Sequence, residues 1–367
     1  MSTVRVIVPA GVDDPRRPSG GNVYDRHVCR GLAAIGWLVH ELPVRGPWPW
    51  ADPSARGRLA AALDAVPDGG LALVDGLVAS AAPDVVAPRA SRLRVVVLLH
   101  MPLGQAHASA RSAERTVLGS ACAVVTTSGW ARQWVLDHYG LPPRRVHVAE
   151  PGVEAARPSP GSAAGDRLLC VGAVTRQKGH DVLVTALAEL AGLPWTCQVV
   201  GSLDVAPGFV QGLRRDMDRR GIADRMRLRG PLTGADLDVA YAAADVLVLA
   251  SRAETYGMVV AEALAHGLPV IASAAGGVPE ALGRSGDGRR PGLLVRPGDA
   301  RALAAALRTY LTDPSLRAHL REAAAGRRGG LPLWSHTTVR LARALEQASR
   351  EPAGEPNHAR RRTSTST

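Results

Sequence analysis

Two glutamates, Glu254 and Glu262, have seven residues between them in the stretch RAETYGMVVAEALAHGLPVIA, which follows the apolar run DVLVLAS. Glu254 falls in the loop before a helix, and Glu262 about one and a half turns into it. The first amides of that helix, near Gly257, Met258 and Val259, have no partner within the helix and form a ready anion site. Gly257 lets a phosphate come close to the backbone. A carboxylate on each side of a phosphate site suits hydroxyl recognition: the anion takes the amides, and the carboxylates accept from sugar hydroxyl groups.

A second group points to the same chemistry. In GAVTRQKGHD, Lys178 precedes Gly179 at the start of a helix, with Arg176 two residues earlier. The chain has 44 Lys and Arg together, and Lys178 is its only lysine. Positive charge at a helix N-terminus is unfavourable unless a ligand is there to meet it. A compact ammonium on a flexible stem suits a diphosphate. Gly20 and Gly21 open the first helix after the first strand, where paired glycines admit a ligand to backbone amides. They do not form the G-x-G-x-x-G fingerprint of dinucleotide-binding folds. His100 ends the run LRVVVLLH, where an imidazole can bond a substrate hydroxyl. No histidine shows metal-ligand spacing, so no structural or catalytic metal is expected. No Ser-His-Asp set or G-x-S-x-G elbow is visible.

The elements that must position these residues alternate between apolar runs and amphipathic stretches. The first half has strand-like runs at 4–10, 38–44, 71–77, 93–100, 123–128 and 145–151, with helical stretches at 22–35, 55–66 and 130–138. Several runs are apolar on both faces, as a covered parallel sheet requires. Residues 152–166 are rich in Pro, Gly and Ser and read as a linker. The alternation then restarts, with strands at 168–174, 196–202, 225–230, 245–251, 268–273 and 292–297. Helices are expected at 180–191, 209–220, 234–243, 257–267, 300–312 and 314–325. Two β/α halves in series predict an α/β chain of two doubly wound, Rossmann-like domains facing across a cleft. Ligands of such sheets sit beyond the carboxyl ends of the strands. A final amphipathic helix spans 333–350 with Ser335 as N-cap, and the polar segment 351–367 reads as a disordered tail. The boundaries expected are 1–153, 154–332, 333–350 and 351–367.

The bulk properties agree. A chain of 367 residues exceeds one comfortable core. Its net charge of +11 points to an anionic partner, but no basic run is interleaved with aromatics, so nucleic acid is not expected. Four cysteines at 29, 122, 170 and 197 form no C-x-x-C pair, and those at 122, 170 and 197 lie in apolar runs. They read as reduced core residues of a cytoplasmic protein. No stretch approaches the ~20 apolar residues of a membrane span, and the N-terminus shows no signal peptide.

Taken together, these segments resemble glycosyltransferase family 4, the retaining nucleotide-sugar transferases of the GT-B fold. The segments that carry the resemblance are ETYGMVVAE with ALAHGLPVIASAAGGVPEAL, VGAVTRQKGHDVLVTAL, SGGNVYDRHVCRGLAAIGW, VVTTSGWARQWVLDHYGLPPRRVHVAEPGVE and WSHTTVRLARAL. The resemblance implies that Lys178 neutralises a donor diphosphate, helped by the amides of Gly257–Val259 and the loop at Gly21. It implies that Glu262 holds the ribose, that Glu254 contacts the transferred hexose-type sugar, and that His100 approaches that sugar from the N-terminal domain. The base would lie against Gly230, Pro231 and Leu232. It further implies transfer without a cofactor or metal, to a hydroxyl acceptor read by loops 11–20, 45–57 and 101–112, and a last helix that crosses back to the N-terminal domain. In one respect the chain departs from the family: an Arg usual after the glycine ending the strand is Ala173 here, with Arg176 as the candidate replacement. A nucleotide-sugar 2-epimerase of the same fold and a nonenzymatic basic binding protein are the rival readings. Peripheral contact of the basic N-terminal domain with an anionic membrane is a further expectation to test.

Overall fold

The computed structural model describes residues 2–350, so the expectation for the 351–367 tail lies outside the described residues. Each half forms a six-stranded parallel sheet. The first contains β1 (Thr3–Pro9), β2 (Leu38–Val44), β3 (Leu71–Asp75), β4 (Arg94–Leu99), β5 (Ala123–Thr126) and β6 (Val146–Val148), in the order β2-β1-β3-β4-β5-β6. The second contains β7 (Arg167–Val171), β8 (Thr196–Val200), β9 (Met226–Gly230), β10 (Val246–Leu249), β11 (Val270–Ser273) and β12 (Gly292–Val295), in the order β12-β11-β10-β7-β8-β9. Each predicted strand run overlaps one of these strands, with β1 and β7 starting one residue earlier than expected.

The helices of the first half are α1 (Gly20–Ala34), α2 (Pro53–Asp64), α3 (Gly76–Ser80), α4 (Pro83–Arg89), α5 (Leu103–Ala106), α6 (Arg111–Ser120) and α7 (Gly129–Tyr139). Those of the second are α8 (His180–Ala188), α9 (Pro207–Arg219), α10 (Gly234–Ala242), α11 (Met258–Ala265), α12 (Val278–Leu282), α13 (Ala300–Thr312) and α14 (Pro314–Arg328), and α15 (Trp334–Arg350) follows. The run 71–77 is strand only to Asp75. There the Asp75 carboxylate accepts from the amides of Leu77 and Val78 and starts α3.

Strand β4 shows why the apolar runs are continuous. Val95, Val97 and Leu99 point into a cluster with Leu59, Val86 and Val117, while Val96 and Leu98 point into the opposite one with Val28, Leu32, Leu341 and Leu345. Both faces are covered, so neither tolerates a polar residue. Burying each Leu or Val contributes about 1.5–3 kcal/mol.

The second cluster contains α15, so the last helix packs in the N-terminal core. It packs on α1 so closely that a Cβ at Gly31 would lie 2.1 Å from Thr338 Oγ1. Trp334 stacks on His27 with ring centroids 4.1 Å apart. The helix starts at Trp334, which places Ser335 inside the first turn and corrects its expected role as N-cap.

Residues 152–166 hold no helix, yet they are pinned. Val153 bridges to Leu333, and buried Ser159 donates to the carbonyls of Ala242 or Ala244, each 2.9 Å away. Cys29, Cys170 and Cys197 are free thiols, and Cys122 Sγ bonds the Val95 carbonyl. Cys29, Cys170 and Cys197 are buried, but Cys122 is half-buried, against expectation. Among the described residues, no helix is long and apolar enough to cross a membrane.

Candidate active site

In the second sheet the strand order reverses between β7 and β10, which pair directly. Such a switch point opens a crevice at the carboxyl ends of the strands, where doubly wound sheets bind ligands. Lys178 follows β7 and Glu254 follows β10, so the two enter the crevice from its two sides. They meet there: Lys178 Nζ lies 2.7 Å from Glu254 Oε1, which also accepts from Ser251 Oγ at 2.7 Å. Oε2 of Glu254 has no partner among the described residues.

The local sequence fixes this meeting. Gly179 caps α8 in the left-handed conformation, φ +70°, and a Cβ there would lie 1.9 Å from the Ala250 carbonyl oxygen. No other residue brings the Lys178 loop so close to the end of β10. Gly257 caps α11 with φ +93° and no side chain caps that helix, which leaves its first amides for a ligand. Glu262 stands further along α11. Its Oε2 accepts from Tyr241 Oη at 2.7 Å, and burial pushes its carboxyl above the usual range although the Tyr241 bond pulls the other way. Tyr241 is itself held flat against His266, with centroids 4.9 Å apart.

The opposite wall comes from the first sheet. Gly21 packs on His100, where a Cβ would lie 3.2 Å from the imidazole Cδ2, and Gly20 packs near Met258 across the cleft. His100 Nε2 lies 2.8 Å from Asp25 Oδ1 and 3.5 Å from Asp75 Oδ2. Burial opposes the imidazolium, but Asp25 and then Asp75 outweigh it and raise the His100 pKa to about 8. Burial, reinforced by Asp25, raises Asp75 to about 6.

Together these walls enclose a cleft of about 440 Å³. It is lined by His100, Lys178, Glu254, Glu262, Gly21, Gly257, Met258, Val259 and Leu232, all expected from sequence. Three expected residues are not on its wall. Arg176 is exposed, and only its backbone carbonyl is engaged, by Arg252 and Gly179. The Gly230 carbonyl accepts from Gly201 N at 2.9 Å, and neither it nor Pro231 lines the cleft. Ala173, the position where the resemblance wanted an Arg, does line it.

The halves are clasped beside the cleft. Glu280 accepts from the amides of Gly129 (2.9 Å) and Trp130 (2.6 Å) at the start of α7, and Ser128 Oγ donates to the Thr255 carbonyl at 2.5 Å. Sequence reading did not single out Asp25, Asp75, Tyr241, Ser251 or Glu280. Ser251 had a signal, since it closes the apolar run 245–251 at its carboxyl edge, whereas Asp75 lay inside the expected run 71–77.

Among the described residues, Asp25, Asp75 and His100 are the group whose ligand atoms converge enough for a metal ion. His100 Nε2 is already bonded to Asp25, and Asp75 Oδ1 to the α3 amides. Of the Asp-x-Asp spacings at 216–218 and 236–238, both on helices, no aspartate lines the cleft, although Leu237 does, and Asp216 is taken by Arg219 and Arg220.

Two Rossmann-like domains with their strand ends turned to a common cleft, one bearing the Lys178–Glu254 pair and an uncapped helix, define the GT-B architecture. Solved structures share it. The Anabaena protein HepE in complex with UDP-glucose superposes with a TM-score of 0.76 over 95% of this chain and 100% of its own, at 18% identity. Sucrose-phosphate synthase from Thermosynechococcus elongatus gives 0.74 over 95% and 99%, at 23% identity. The family model Glycosyltransferase Family 4 matches residues 3–157, and Glycosyl transferases group 1 matches 165–313. The chain belongs to glycosyltransferase family 4. Curated relatives include D-inositol 3-phosphate glycosyltransferase of Kineococcus radiotolerans, 34% identical over 66% of this chain and 61% of that protein. Its namesake in Catenulispora acidiphila is 32% identical over 69% and 64%. The chain thus spans less than two thirds of the length of these relatives.

Proposed function

We propose that this chain is a retaining, metal-independent glycosyltransferase that moves a hexose-type sugar from a nucleotide diphosphate sugar to a hydroxyl acceptor. The observation that carries the reading is the Lys178–Glu254 pair, 2.7 Å apart at the switch point and beside the uncapped start of α11. A diphosphate at the α11 amides draws the Lys178 ammonium to itself. Glu254 is then free to accept from hydroxyls of the sugar, through the oxygen released by Lys178 and through Oε2. Glu262, on the same helix, accepts from the ribose.

In the transfer, the bond between the anomeric carbon and the diphosphate oxygen breaks, and the leaving oxygen keeps the electron pair. Lys178 and the amides of Gly257–Val259 stabilise the charge that develops there. The acceptor oxygen forms the new bond on the same face of the sugar and passes its proton to the leaving phosphate. Retention follows from attack on that face. The relatives that are D-inositol 3-phosphate glycosyltransferases and the HepE complex with UDP-glucose support a nucleotide-sugar donor and a polyol acceptor.

A thermal-shift screen of UDP- and GDP-sugars tests the reading. One donor is expected to raise the melting temperature, by mass action on the folded state, and to lose that effect in Lys178→Ala and Glu262→Ala. If no nucleotide sugar shifts the melt, the reading fails.

A further inference from the structure

His100 meets two carboxylates at one atom. Asp25 comes from α1 and Asp75 from the end of β3, and their side chains are 3% and 6% exposed beside an imidazole that is 19% exposed on the cleft wall. Neither aspartate lines the cleft, and the transfer chemistry above uses neither. Among the described residues, His100 is the only cation within ion-pair distance of either.

We propose that Asp25 and Asp75 are positioning residues for the transfer: they lock the His100 ring with its Nε2–H turned inward and offer Nδ1 to an oxygen of the transferred sugar as a hydrogen-bond donor. This rests on the transferase reading. Ionised carboxylates only accept, so the nitrogen between them must carry a proton. The hydrogen bond to Asp25 fixes the orientation and the tautomer of the ring, and the charge of Asp75, 3.5 Å away, favours a proton on the same nitrogen. Nδ1 has no partner among the described residues. With the ring charged up to about pH 8, Nδ1 also carries a proton at neutral pH. His100 is then a donor on both sides and does not serve as a base toward the acceptor.

The surroundings add no competing charge. Tyr24 of α1 meets the ring edge-on at 5.2 Å, gives its hydroxyl proton to the Ala149 carbonyl, and is kept protonated by burial. Thr127 touches only the His100 carbonyl. Lys178 and Glu254 stand on the other wall, paired with each other.

Nitrogen-15 NMR of the whole protein, with the His100 signals identified by their loss in His100→Gln, reads the ring directly. Both nitrogens are expected protonated at pH 7, and Nε2 alone above the pKa of about 8. Asp25→Asn should lower that pKa by about 1 unit or more, and Asp75→Asn by less, because it is the more distant partner. The alkaline limb of kcat/KM, followed with UDP-glucose and GDP-mannose as donors, should move to lower pH by the same amounts. Proton loss first at Nε2 in the wild type overturns the proposal even if the variants do not fold. So does an unmoved titration in folded Asp25→Asn, or a shifted titration with an unmoved limb. If the ring titrates as expected but the wild type turns over no nucleotide sugar, the transferase reading has failed, and the reaction role falls with it.

Discussion

The two walls of the cleft are built in opposite ways. The C-terminal wall puts its charges at loop ends, where Lys178 keeps 30% of its side chain exposed and its partner Glu254 lies within reach of ligand. The N-terminal wall hides its charges behind the surface and presents one ring that they orient. The first arrangement can exchange partners when an anion arrives. The second cannot, because His100 is the only cation within ion-pair distance of either aspartate among the described residues, and moving it away would leave two buried carboxylates unpaired. A diphosphate needs the former, since charge must move toward it as the leaving group forms. A sugar hydroxyl needs the latter, since it is read by geometry.

That contrast can be broken at the exchangeable wall first. Lys178→Ala should lower kcat by about 10²–10³-fold, the scale seen when one leaving-charge donor is removed. Lys178→Arg should restore only part of it, because a planar guanidinium does not replace a point charge. Single-turnover kinetics with the donor found by thermal shift would measure both, and near-normal turnover in Lys178→Arg would make the lone lysine incidental. Next, Glu262→Gln keeps the Tyr241 contact but loses a charged acceptor, worth about 1.5–3 kcal/mol. Donor affinity by calorimetry should fall about tenfold or more while kcat changes less.

The clasp lies between the walls and should give a smaller effect. Glu280→Gln keeps one acceptor for the α7 amides and loses the charge, so KM should rise by about threefold, from roughly 0.5–1 kcal/mol of lost helix-terminus interaction. A small-angle scattering profile should show a wider open population. Smallest of all, Arg176→Ala should leave kcat and KM within about twofold, since its exposed side chain reaches no cleft residue and isolated surface charges contribute little. A tenfold loss there would show that the loop rearranges to bring Arg176 to the diphosphate.

The C-terminal wall was legible in the sequence because its parts are local. Glu254, Gly257 and Glu262 fall in one segment, and Lys178 stands out by residue type alone. The strands were legible because both faces of each sheet are covered. The N-terminal wall was legible only at Gly21 and His100. Asp25 lies 75 residues from His100 in sequence, on a helix face with no pattern to mark it. Helix α5, inside what reads as a loop, has only four residues, too few to show a period. It is held from outside: buried Glu114 accepts from the amides of Leu103 and Gly104 and from Tyr139. Arg176 misled because charge type and spacing do not say which way a side chain turns.

The return of α15 to the first domain has a consequence for how the molecule is made. Topologically, the C-terminal domain is an insertion within the N-terminal one. A nascent chain can complete the second sheet and α14 while the first domain still lacks one of the helices, with α1, that cover one face of its sheet. Leu341 and Leu345 arrive last and seal it. A single cut in 152–166 therefore does not release a finished N-terminal domain, and expression of 1–153 alone would leave Val96, Leu98 and Val28 facing water. The same return means that two segments cross between the halves, side by side at Val153 and Leu333. Any change in the cleft must therefore be accommodated by both crossings at once.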